Sequence, residues 1–343
     1  MILVTGGTGL VGSHLLCELT QRNELIRASY RTEIKKEETR RLFEFYFQEK
    51  SQQFFSKIEW VKADILSIPS LNELFLGVSY VYHCAALVSF HKIDFYTCLK
   101  VNRQGTANIV NMCLSYNVKK LCYVSSTAAL GYNTNGLTDE TTMWKPGKEV
   151  SGYSISKYSA EKEVWRGIEE GLSAVMINPC LILGPGNWND GSLSIFKTAS
   201  KGISFYPTGS NAIVDVRDVV SSLQFFMNTS IVSQRFLCTG QNISFKELQT
   251  ELAISFNKKA PNIKSPRIIA LLFASFSEVI SLLLRKRRGL TIESVYSAYK
   301  TIVYDNSRIT AASGIQFKSL RDTLENAIDG RIEKTIHENK SYK

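Results

Sequence analysis

The sequence lacks the patterns on which metal-binding and disulfide-built proteins depend. None of its seven cysteines belongs to a Cys-x-x-Cys pair, and no zinc-type spacing of cysteine and histidine occurs. Several cysteines lie inside apolar runs, for example Cys122 between Leu121 and Tyr123, which indicates buried, reduced thiols and a cytoplasmic protein. We therefore expect no metal, and we expect His83 and His91 to be packing or surface residues.

Signals for secretion, internal repeats and nucleic-acid binding are absent as well. No basic segment precedes the apolar residues 1–4, so we expect no secretory signal. There is no repeat, low-complexity linker or aromatic-basic RNA motif, and the net charge of +10 is scattered except at 285–288. This charge suits phosphate-bearing ligands, and we expect a small-molecule partner and no nucleic acid.

Segments of strand length alternate with segments of helical periodicity over the first 180 residues. The predicted strands are 2–4, 25–30, 58–61, 80–83, 121–125 and 174–177, and helices fit between them, notably at 10–20, 34–56, 93–117 and 153–170. Strands separated by helices predict a parallel sheet with right-handed crossovers. The predicted fold class is α/β, a Rossmann-type doubly wound parallel sheet with a smaller, mainly helical substrate lobe.

The alternation loosens after Pro179. Residues 184–211 are rich in Gly, Asn, Ser and Pro and indicate loops, residues 212–238 return to strand and helix spacing, and residues 241–343 are mainly helical. A chain of 343 residues is also longer than one core usually grows. We predict two interleaved units, a dinucleotide-binding domain at 1–178 and 212–240 and a substrate-binding lobe at 179–211 and 241–343.

A glycine-rich turn follows the first predicted strand and opens the first predicted helix. Its glycines can be grouped as 6, 9 and 12 or as 7, 9 and 12. Glycine lets the backbone approach a pyrophosphate closely, and the helix N-terminus offers free N–H groups to the anion. The alternative is a tight turn without a ligand. We predict dinucleotide contacts from Gly6, Thr8, Gly9, Leu10, Val11 and Gly12.

The end of the second predicted strand indicates which dinucleotide binds. An NAD site places a carboxylate here for the ribose 2′-hydroxyl, but this sequence has Tyr30 and Arg31 and no acid before Glu33. Arginine pairs with a 2′-phosphate through two hydrogen bonds. We therefore favour NADP over NAD and assign Arg31 to the cofactor. The alternative is that Arg27 and Arg31 are solvated charges at the strand end.

Tyr153 and Lys157 lie one helical turn apart at the start of the predicted helix 153–170. A free phenol has a pKa of about 10, which is too high for a base at neutral pH. A neighbouring ammonium group stabilises the phenolate and lowers that pKa. The pair lies between the fifth and sixth predicted strands, where a proton donor beside a nicotinamide is required. We therefore predict that Tyr153 exchanges the substrate proton.

Motifs along nearly the whole chain resemble those of the extended short-chain dehydrogenases/reductases, the NAD-dependent epimerase/dehydratase family. Besides the glycine turn and the Tyr153–Lys157 pair, the matching segments are 63–65, 83–86, 101–106, 123–127, 178–186, 214–219 and 304–308. The strand-end arginines and residues 304–308 look more like the dihydroflavonol reductase and 3β-hydroxysteroid dehydrogenase branch than like the sugar-nucleotide epimerases. Many epimerases also carry a tyrosine where this chain has Leu183.

The resemblance implies a role for each matched residue. The catalytic set would be Ser126, which binds the substrate oxygen, Tyr153 as the acid–base residue, Lys157, which holds the ribose and tunes Tyr153, and Asn102 as a supporting polar residue. Further cofactor contacts would come from Asp64, Ile65, Ala85, Ala86, Ser125 and Pro179. Structural alternatives stay open: Asp64 as a helix N-cap, Asn102 as a partner of buried backbone groups, and Ser125 as a turn residue.

The predicted function is that of an NAD(P)-dependent oxidoreductase that reduces a carbonyl or oxidises a secondary alcohol on a small, partly apolar substrate. Two alternatives are a nucleotide-sugar epimerase or dehydratase with retained NAD, and a non-catalytic dinucleotide-sensing protein on the same fold. The presence of Ser126, Tyr153 and Lys157 together favours the enzyme, because a sensor needs no activated phenol. The resemblance further implies a homodimer in which helices at 93–117 and 153–170 pair with their copies.

Residues 268–284 form an apolar stretch that contains one charged residue, Glu278, and four basic residues follow it at once. Its length reaches the lower limit for a membrane span. However, Ser275, Glu278 and Ser281 mark one polar stripe, which is typical of a packed or interfacial helix. We expect a helix buried in the second lobe that roofs the pocket of an apolar substrate. The alternatives are an apolar partner surface and an interfacial helix on anionic lipid.

Overall fold

The computed structural model of the chain describes residues 1–133, 136–284 and 289–332. Within these ranges the strands are β1 (Ile2–Thr5), β2 (Ile26–Tyr30), β3 (Ile58–Lys62), β4 (Tyr80–His83), β5 (Lys120–Val124), β6 (Ala174–Pro179), β7 (Leu181–Leu183), β8 (Phe205–Tyr206), β9 (Ser210–Asp215), β10 (Gln234–Cys238), β11 (Gln241–Ser244) and β12 (Ile263–Lys264). The helices are α1 (Leu10–Leu19), α2 (Glu33–Phe47), α3 (Ser51–Phe55), α4 (Ile68–Phe75), α5 (Phe95–Leu99), α6 (Gly105–Ser115), α7 (Gly152–Glu169), α8 (Ser194–Ala199), α9 (Val216–Met227), α10 (Phe245–Ser255), α11 (Arg267–Leu284), α12 (Ile292–Ala298), α13 (Ser307–Ser313) and α14 (Leu320–Asp329).

Seven parallel strands form the main sheet in the order β10-β6-β5-β4-β1-β2-β3. Every residue of β1, β5 and β6 is buried, as expected for central strands that are covered on both faces. Alternate residues of β1 enter separate cores: Ile2 and Val4 pack with α1, α2 and α9, whereas Leu3 packs with α4, α6 and α7. The expected Rossmann-type parallel sheet is confirmed.

The second lobe is built on a three-stranded sheet in the order β11-β9-β7. Its core joins β7 and β9 to α8, α10 and α14 through residues such as Leu183, Phe196, Leu252 and Leu324. The chain passes between the two sheets more than once, because β9 belongs to the small sheet while α9 contacts α1 and β10 pairs with β6. This crossing brings the loops of the second lobe over the carboxyl ends of the main-sheet strands.

Most predicted elements appear close to their expected positions. The predicted helix at 93–117 consists of α5, a π-helical turn at Lys100–Gln104 and α6, and the predicted helix at 153–170 is α7. The stretch 184–211 is not all loop, since it contains α8, a helix of six residues. Its neighbours Gly191 and Gly202 have positive φ and bracket it, and a helix this short has too little periodicity to be detected in a sequence.

The expectation that the apolar segment 268–284 is buried is wrong. The segment forms α11, but only Ala270, Ala274, Glu278 and Ser281 are buried, and nine of its large apolar side chains are exposed. By length and composition alone α11 is long and apolar enough to cross a membrane. Inside the protein, 22% of this helix is buried. The expected position beside the substrate pocket is seen for one residue of α11, because Ala270 lines the cleft described below. The basic residues 285–288 lie outside the described residues.

Candidate active site

One cleft of about 2380 Å³ runs along the carboxyl ends of the main-sheet strands, where ligands bind in open α/β sheets. The predicted residues that line it are Gly6, Thr8, Gly9, Leu10, Val11, Arg31, Asp64, Ile65, Ala85, Ala86, Ser125, Ser126, Tyr153, Lys157 and Pro179. Gly12 and Asn102 are not among its lining residues. Residues from six main-sheet strands and their following loops therefore share one cavity.

The turn between β1 and α1 has the shape of an anion cradle. Gly6 has a φ of +68°, and a Cβ there would lie 2.6 Å from the backbone nitrogen of Ala85. A Cβ at Gly12 would lie 2.2 Å from the carbonyl oxygen of Gly6. Gly9 begins α1 without a side-chain cap, and the first turn of α1 carries no acid. Gly6 and Gly9 line the cleft, and Gly7 and Gly12 do not. Gly12 acts behind the lining, where it lets α1 approach the carbonyl group of Gly6. The turn fits a pyrophosphate.

The segment after β3 supplies the next wall of the cleft. Asp64 is exposed, and its carboxylate accepts a hydrogen bond from the Leu66 backbone N–H at 2.9 Å, which closes a local turn. The N-cap of α4 is Ser67, so Asp64 is not a helix cap. Ile65 is buried, and a Cβ at Gly105 would lie 2.4 Å from it. Asp64 therefore lines the cleft as an exposed polar group, whereas the neighbouring Ile65 packs closely against Gly105.

The two arginines of β2 have different environments. Arg27 is buried: its guanidinium donates to the carbonyl oxygens of Leu74 and Leu76 at 3.0 and 2.7 Å and pairs with Glu59 at 3.0 Å. The alternative that Arg27 is a solvated strand-end charge is therefore wrong. Arg31, at the strand end, is exposed and lines the cleft.

Arg31 is the cation at this end of the cleft that has no carboxylate partner among the described residues. Lys35, which also lines the cleft, contacts two carboxylates, Glu38 at 2.6 Å and Asp190. Sequence analysis missed Lys35, although it lies one turn into the helix that follows Arg31. The guanidinium of Arg31 is available to an anion, whereas the ammonium of Lys35 is already neutralised.

Tyr153 lies in the first turn of α7, which Ser151 caps by accepting a hydrogen bond from the Ser154 N–H. Its ring meets Phe90 edge-on at 5.7 Å. Burial raises the pKa of Tyr153 to about 12, and the side chain of Ser126 opposes this rise. The expected lowering of this pKa by Lys157 is not seen. At neutral pH the phenol is therefore a proton donor with Ser126 beside it.

Lys157 lies one turn further along α7 and is fully buried. Its ammonium donates to the hydroxyl of Tyr123 and to the carbonyl oxygen of Val124, each at 2.9 Å. Burial lowers its pKa to about 7, while Glu161 and Cys84 act in the opposite direction. The ammonium is thus held against β5, at the floor of the cleft.

Sequence analysis missed the partner of Lys157. Tyr123 stacks on His83 with ring centroids 5.3 Å apart. His83 in turn is bonded to Thr5 at 2.7 Å and Thr106 at 3.1 Å, and burial lowers its pKa to about 3. The prediction that His83 is a packing residue is confirmed. One signal was present: alternation on β5 puts Tyr123 on the same face as Ser125, which lines the cleft.

Asn102 lies behind the cleft in the π-helical turn. Its amide bonds both backbone groups of Leu87, accepting at 2.7 Å and donating at 2.9 Å, and it also donates to Ser156 on α7 at 2.8 Å. It therefore ties the loop after β4 to the helix that carries Tyr153. The structure places Asn102 as a positioning residue and not in contact with the cleft.

The lining of the cleft is rich in aromatic side chains. Trp144 stacks on Tyr158 of α7 at 4.3 Å and donates its indole N–H to Ser154 at 2.9 Å. The Phe, Tyr and Trp residues that line the cleft are Tyr30, Phe90, Tyr132, Trp144, Tyr153, Phe205, Tyr206, Phe245, Tyr299 and Tyr304. Among the described lining residues, arginine occurs once, as Arg31. Within the described ranges, no cluster of three or more His, Cys, Asp or Glu side chains suits a metal ion.

The chain belongs to the NAD dependent epimerase/dehydratase family, whose model matches residues 2–232. It is therefore an enzyme of a nicotinamide-dependent family that includes both reductases and epimerases. It is 25% identical over 335 residues to a Synechocystis protein provisionally assigned as a dihydroflavonol 4-reductase, covering 95% of this chain and 92% of the relative. It is 27% identical over 269 residues to anthocyanidin reductase of Arabidopsis thaliana, covering 71% and 77%.

Solved structures show the same fold over nearly the whole chain. The protein gox2253 is 25% identical, with a TM-score of 0.77 over 96% of this chain and 97% of that one. UDP-glucuronic acid 4-epimerase from Bacillus cereus, in complex with UDP-glucuronic acid and NAD, is 19% identical, with a TM-score of 0.74 over 96% and 98%. The fold class and the family resemblance are thus confirmed.

Proposed function

We propose that this enzyme uses NADPH to reduce a ketone or aldehyde carbonyl on a small, largely apolar substrate. The observation that carries the proposal is the position of Tyr153 in an aromatic-walled cleft, with Ser126 beside its phenol. A group that holds its proton at neutral pH is suited to donate it to an oxygen that is gaining negative charge. We propose the reductive direction, in which the phenol begins the reaction with its proton.

Each residue of the candidate active site has a role in the proposed reduction. When bound, the dinucleotide supplies a hydride to the carbonyl carbon. Tyr153 gives its proton to the carbonyl oxygen, and Ser126, which already acts on the phenol, donates a hydrogen bond to the same oxygen. Lys157 is held at the floor by its hydrogen bonds to Tyr123 and Val124, and it would hold the ribose of the dinucleotide. Gly6 and Gly9 receive the pyrophosphate.

The aromatic lining supports an apolar substrate with a ring system. Aromatic walls recognise flat apolar groups. A sugar-nucleotide epimerase is the second candidate, because the family model covers both activities. The two are distinguished by the fate of the cofactor, since an epimerase returns its hydride to the product.

The test is NADPH consumption by the purified protein with a panel of aromatic and alicyclic ketones and aldehydes. We expect a loss of NADPH absorbance that depends on substrate, with the corresponding alcohol as product. If the protein instead retains NAD through purification and converts UDP-sugars without consuming NADPH, the reductase proposal is wrong and the epimerase replaces it.

The choice of NADPH over NADH rests on Arg31. Arg31→Ala should weaken NADPH binding about tenfold to a hundredfold, because a charged hydrogen-bonded pair contributes roughly 1.5–3 kcal/mol. NADH binding should change little. The matched control is Arg22→Ala, which removes an exposed arginine that follows α1 and bonds Gln224. Isothermal titration with both dinucleotides measures the difference, and equal losses for both would contradict the assignment.

We also propose a cytoplasmic homodimer. All seven cysteines are free, which suits a reducing compartment. The helices of the proposed contact lie together in one subunit, because α5 and α6 each pack against α7. Light scattering at micromolar concentration should give the mass of two chains, and a monomer would count against the contact.

A further inference from the structure

Helix α11 turns its polar stripe inward and its apolar side chains outward. The buried residues Ala270, Ala274, Glu278 and Ser281 recur at helical spacing and define one inner face. In most surface helices of soluble proteins the buried stripe is the apolar one. The orientation of α11 is the reverse, so its outer face needs a separate explanation.

The inner face is held by specific contacts. Ala270 and Ala274 pack against Val295 of α12 in a small core of their own. The Glu278 carboxylate accepts a hydrogen bond from the backbone N–H of Ile292 at 2.9 Å and pairs with Lys92 at 3.0 Å. Rotating the helix to bury its apolar side chains would break these contacts and leave a carboxylate without partners. The outward orientation is therefore built into the lobe.

The outer face is a broad, exposed apolar surface. Its members are Ile268, Ile269, Leu272, Phe273, Phe276, Val279, Leu282, Leu283 and Leu284, each between 49% and 78% exposed. At 3.6 residues per turn these positions cover about 200° of the helix circumference. Monomeric soluble proteins rarely leave a contiguous apolar patch of this kind uncovered. The surface is therefore suited to an apolar partner.

The charge of the chain identifies the kind of partner. The sequence continues from Leu284 directly into Arg285-Lys286-Arg287-Arg288, and the whole chain carries a net charge of +10. A strongly apolar face with cations at one end is the composition of helices that lie in the interface of an anionic bilayer. The homodimer proposed above is built on α5, α6 and α7, so it does not call on the outer face of α11 for a second copy.

A transmembrane span does not fit the contacts. Glu278 lies near the middle of α11 and is fixed to Lys92 and to α12, so one side of the helix is committed to the protein. A helix that is packed on one side and apolar on the other can bury only the outer side in lipid. The arrangement suits a helix that lies flat on a membrane.

We propose that the outer face of α11 docks this enzyme onto the surface of a bilayer that contains anionic phospholipid. The apolar side chains enter the boundary between headgroups and acyl chains, and the positive charge that follows α11 in the sequence attracts the protein to the anionic surface. The docking surface is separate from Tyr153, Lys157 and the glycine turn, so the proposal stands independently of the reductase activity.

The test is co-sedimentation of the full-length protein with vesicles of phosphatidylcholine alone and of phosphatidylcholine mixed equally with phosphatidylserine. We expect the protein to pellet with the mixed vesicles and to remain in solution with phosphatidylcholine alone. The double variant Leu272→Glu/Phe276→Glu should lower partitioning at least about tenfold, which corresponds to 1.4 kcal/mol. Both positions are solvent-exposed, and circular dichroism checks that the variant is folded.

Two further variants sharpen the test. Leu25→Glu places the same charge at an apolar residue that is 72% exposed and precedes β2, and it should bind vesicles as the native protein does. Arg287→Glu/Arg288→Glu should weaken binding to the mixed vesicles and reduce its dependence on salt.

The proposal is overturned if the native protein stays in solution with the mixed vesicles, or if the Leu272→Glu/Phe276→Glu variant pellets like the native protein. It is also overturned if sedimentation velocity shows a larger assembly that this variant dissolves while no vesicle binding occurs. That last result assigns the outer face of α11 to a second copy of the chain.

Discussion

Helices α7 and α11 have the same length, 18 residues, and opposite relations between composition and burial. α7 carries six charged side chains, yet eight of its residues are buried, including Lys157 and Glu161. α11 carries two charged side chains, and only four of its residues are buried. The helix with the polar sequence forms the centre of the active site, and the apolar one faces outward.

The difference teaches that burial of a polar side chain depends on its partners. Lys157 is buried because Tyr123 and Val124 accept its hydrogen bonds, and Glu278 because Lys92 and Ile292 satisfy its carboxylate. Apolar side chains have no such requirement and stay exposed when nothing covers them. The comparison predicts that changes on inner faces have large effects and changes on the outer face of α11 have small effects on folding.

The largest expected effect is on the inner face of α7. Tyr153→Phe should lower the turnover rate about a hundred- to ten-thousand-fold, because it removes the proton donor and little surface. Dinucleotide binding should remain nearly native. Steady-state kinetics and cofactor titration on the same preparation separate the two effects. Near-native turnover would show that Tyr153 is not the acid. The matched control is Tyr158→Phe, which makes the same change at another tyrosine of α7.

A second effect concerns the pH dependence of stability. In the folded protein burial lowers the pKa of Lys157 to about 7, whereas a lysine in the unfolded chain titrates near 10.4. Between these values the unfolded chain binds more protons, so the free energy of unfolding should rise with pH. Relative to Lys157→Met, the native protein should gain on the order of 1 kcal/mol per pH unit between pH 7 and 9. Urea unfolding measures this, and parallel curves would contradict the lowered pKa.

The smallest expected effects are on the free energy of unfolding, when the inner and outer faces of α11 are changed in turn. Glu278→Ala should reduce the free energy of unfolding by about 1–3 kcal/mol, because it leaves the Ile292 N–H without its partner. Leu272→Ala on the outer face should change it by less than about 0.5 kcal/mol. Urea unfolding without vesicles measures both. A loss for Leu272→Ala as large as that of a core leucine would mean that this face is covered within the protein.

The sequence was most informative where local chemistry demands particular residues. The glycine turn, the order of strands and helices, and the pairing of Tyr153 with Lys157 on α7 were all predictable, because tight turns and helical periodicity leave a local pattern. The contact between Lys157 and Tyr123 was not, since it joins α7 to β5 through the tertiary packing. The inner position of Arg27 likewise depends on carbonyl groups from α4 and the residue after it.

The orientation of α11 shows a second limit to what could be predicted from the sequence. Ser275, Glu278 and Ser281 indicated a stripe, but periodicity alone does not say whether a stripe faces solvent or protein. Two of the three, Glu278 and Ser281, are buried, and Ser275 is exposed. The side of α11 that faces the protein is set by the partners of Glu278. Lys92 is far from α11 in the sequence, and Ile292 belongs to another helix, α12.

The pairing of β10 with β6 has a consequence for biosynthesis. β6 is complete at Pro179, but its outer neighbour extends from Gln234 to Cys238, after the first passage through the second lobe. While the chain emerges from the ribosome, the outer edge of β6 therefore has unpaired N–H and C=O groups, a template for pairing with other nascent chains. N-terminal fragments that end before β10 are expected to aggregate even though they contain the whole glycine turn, Tyr153 and Lys157.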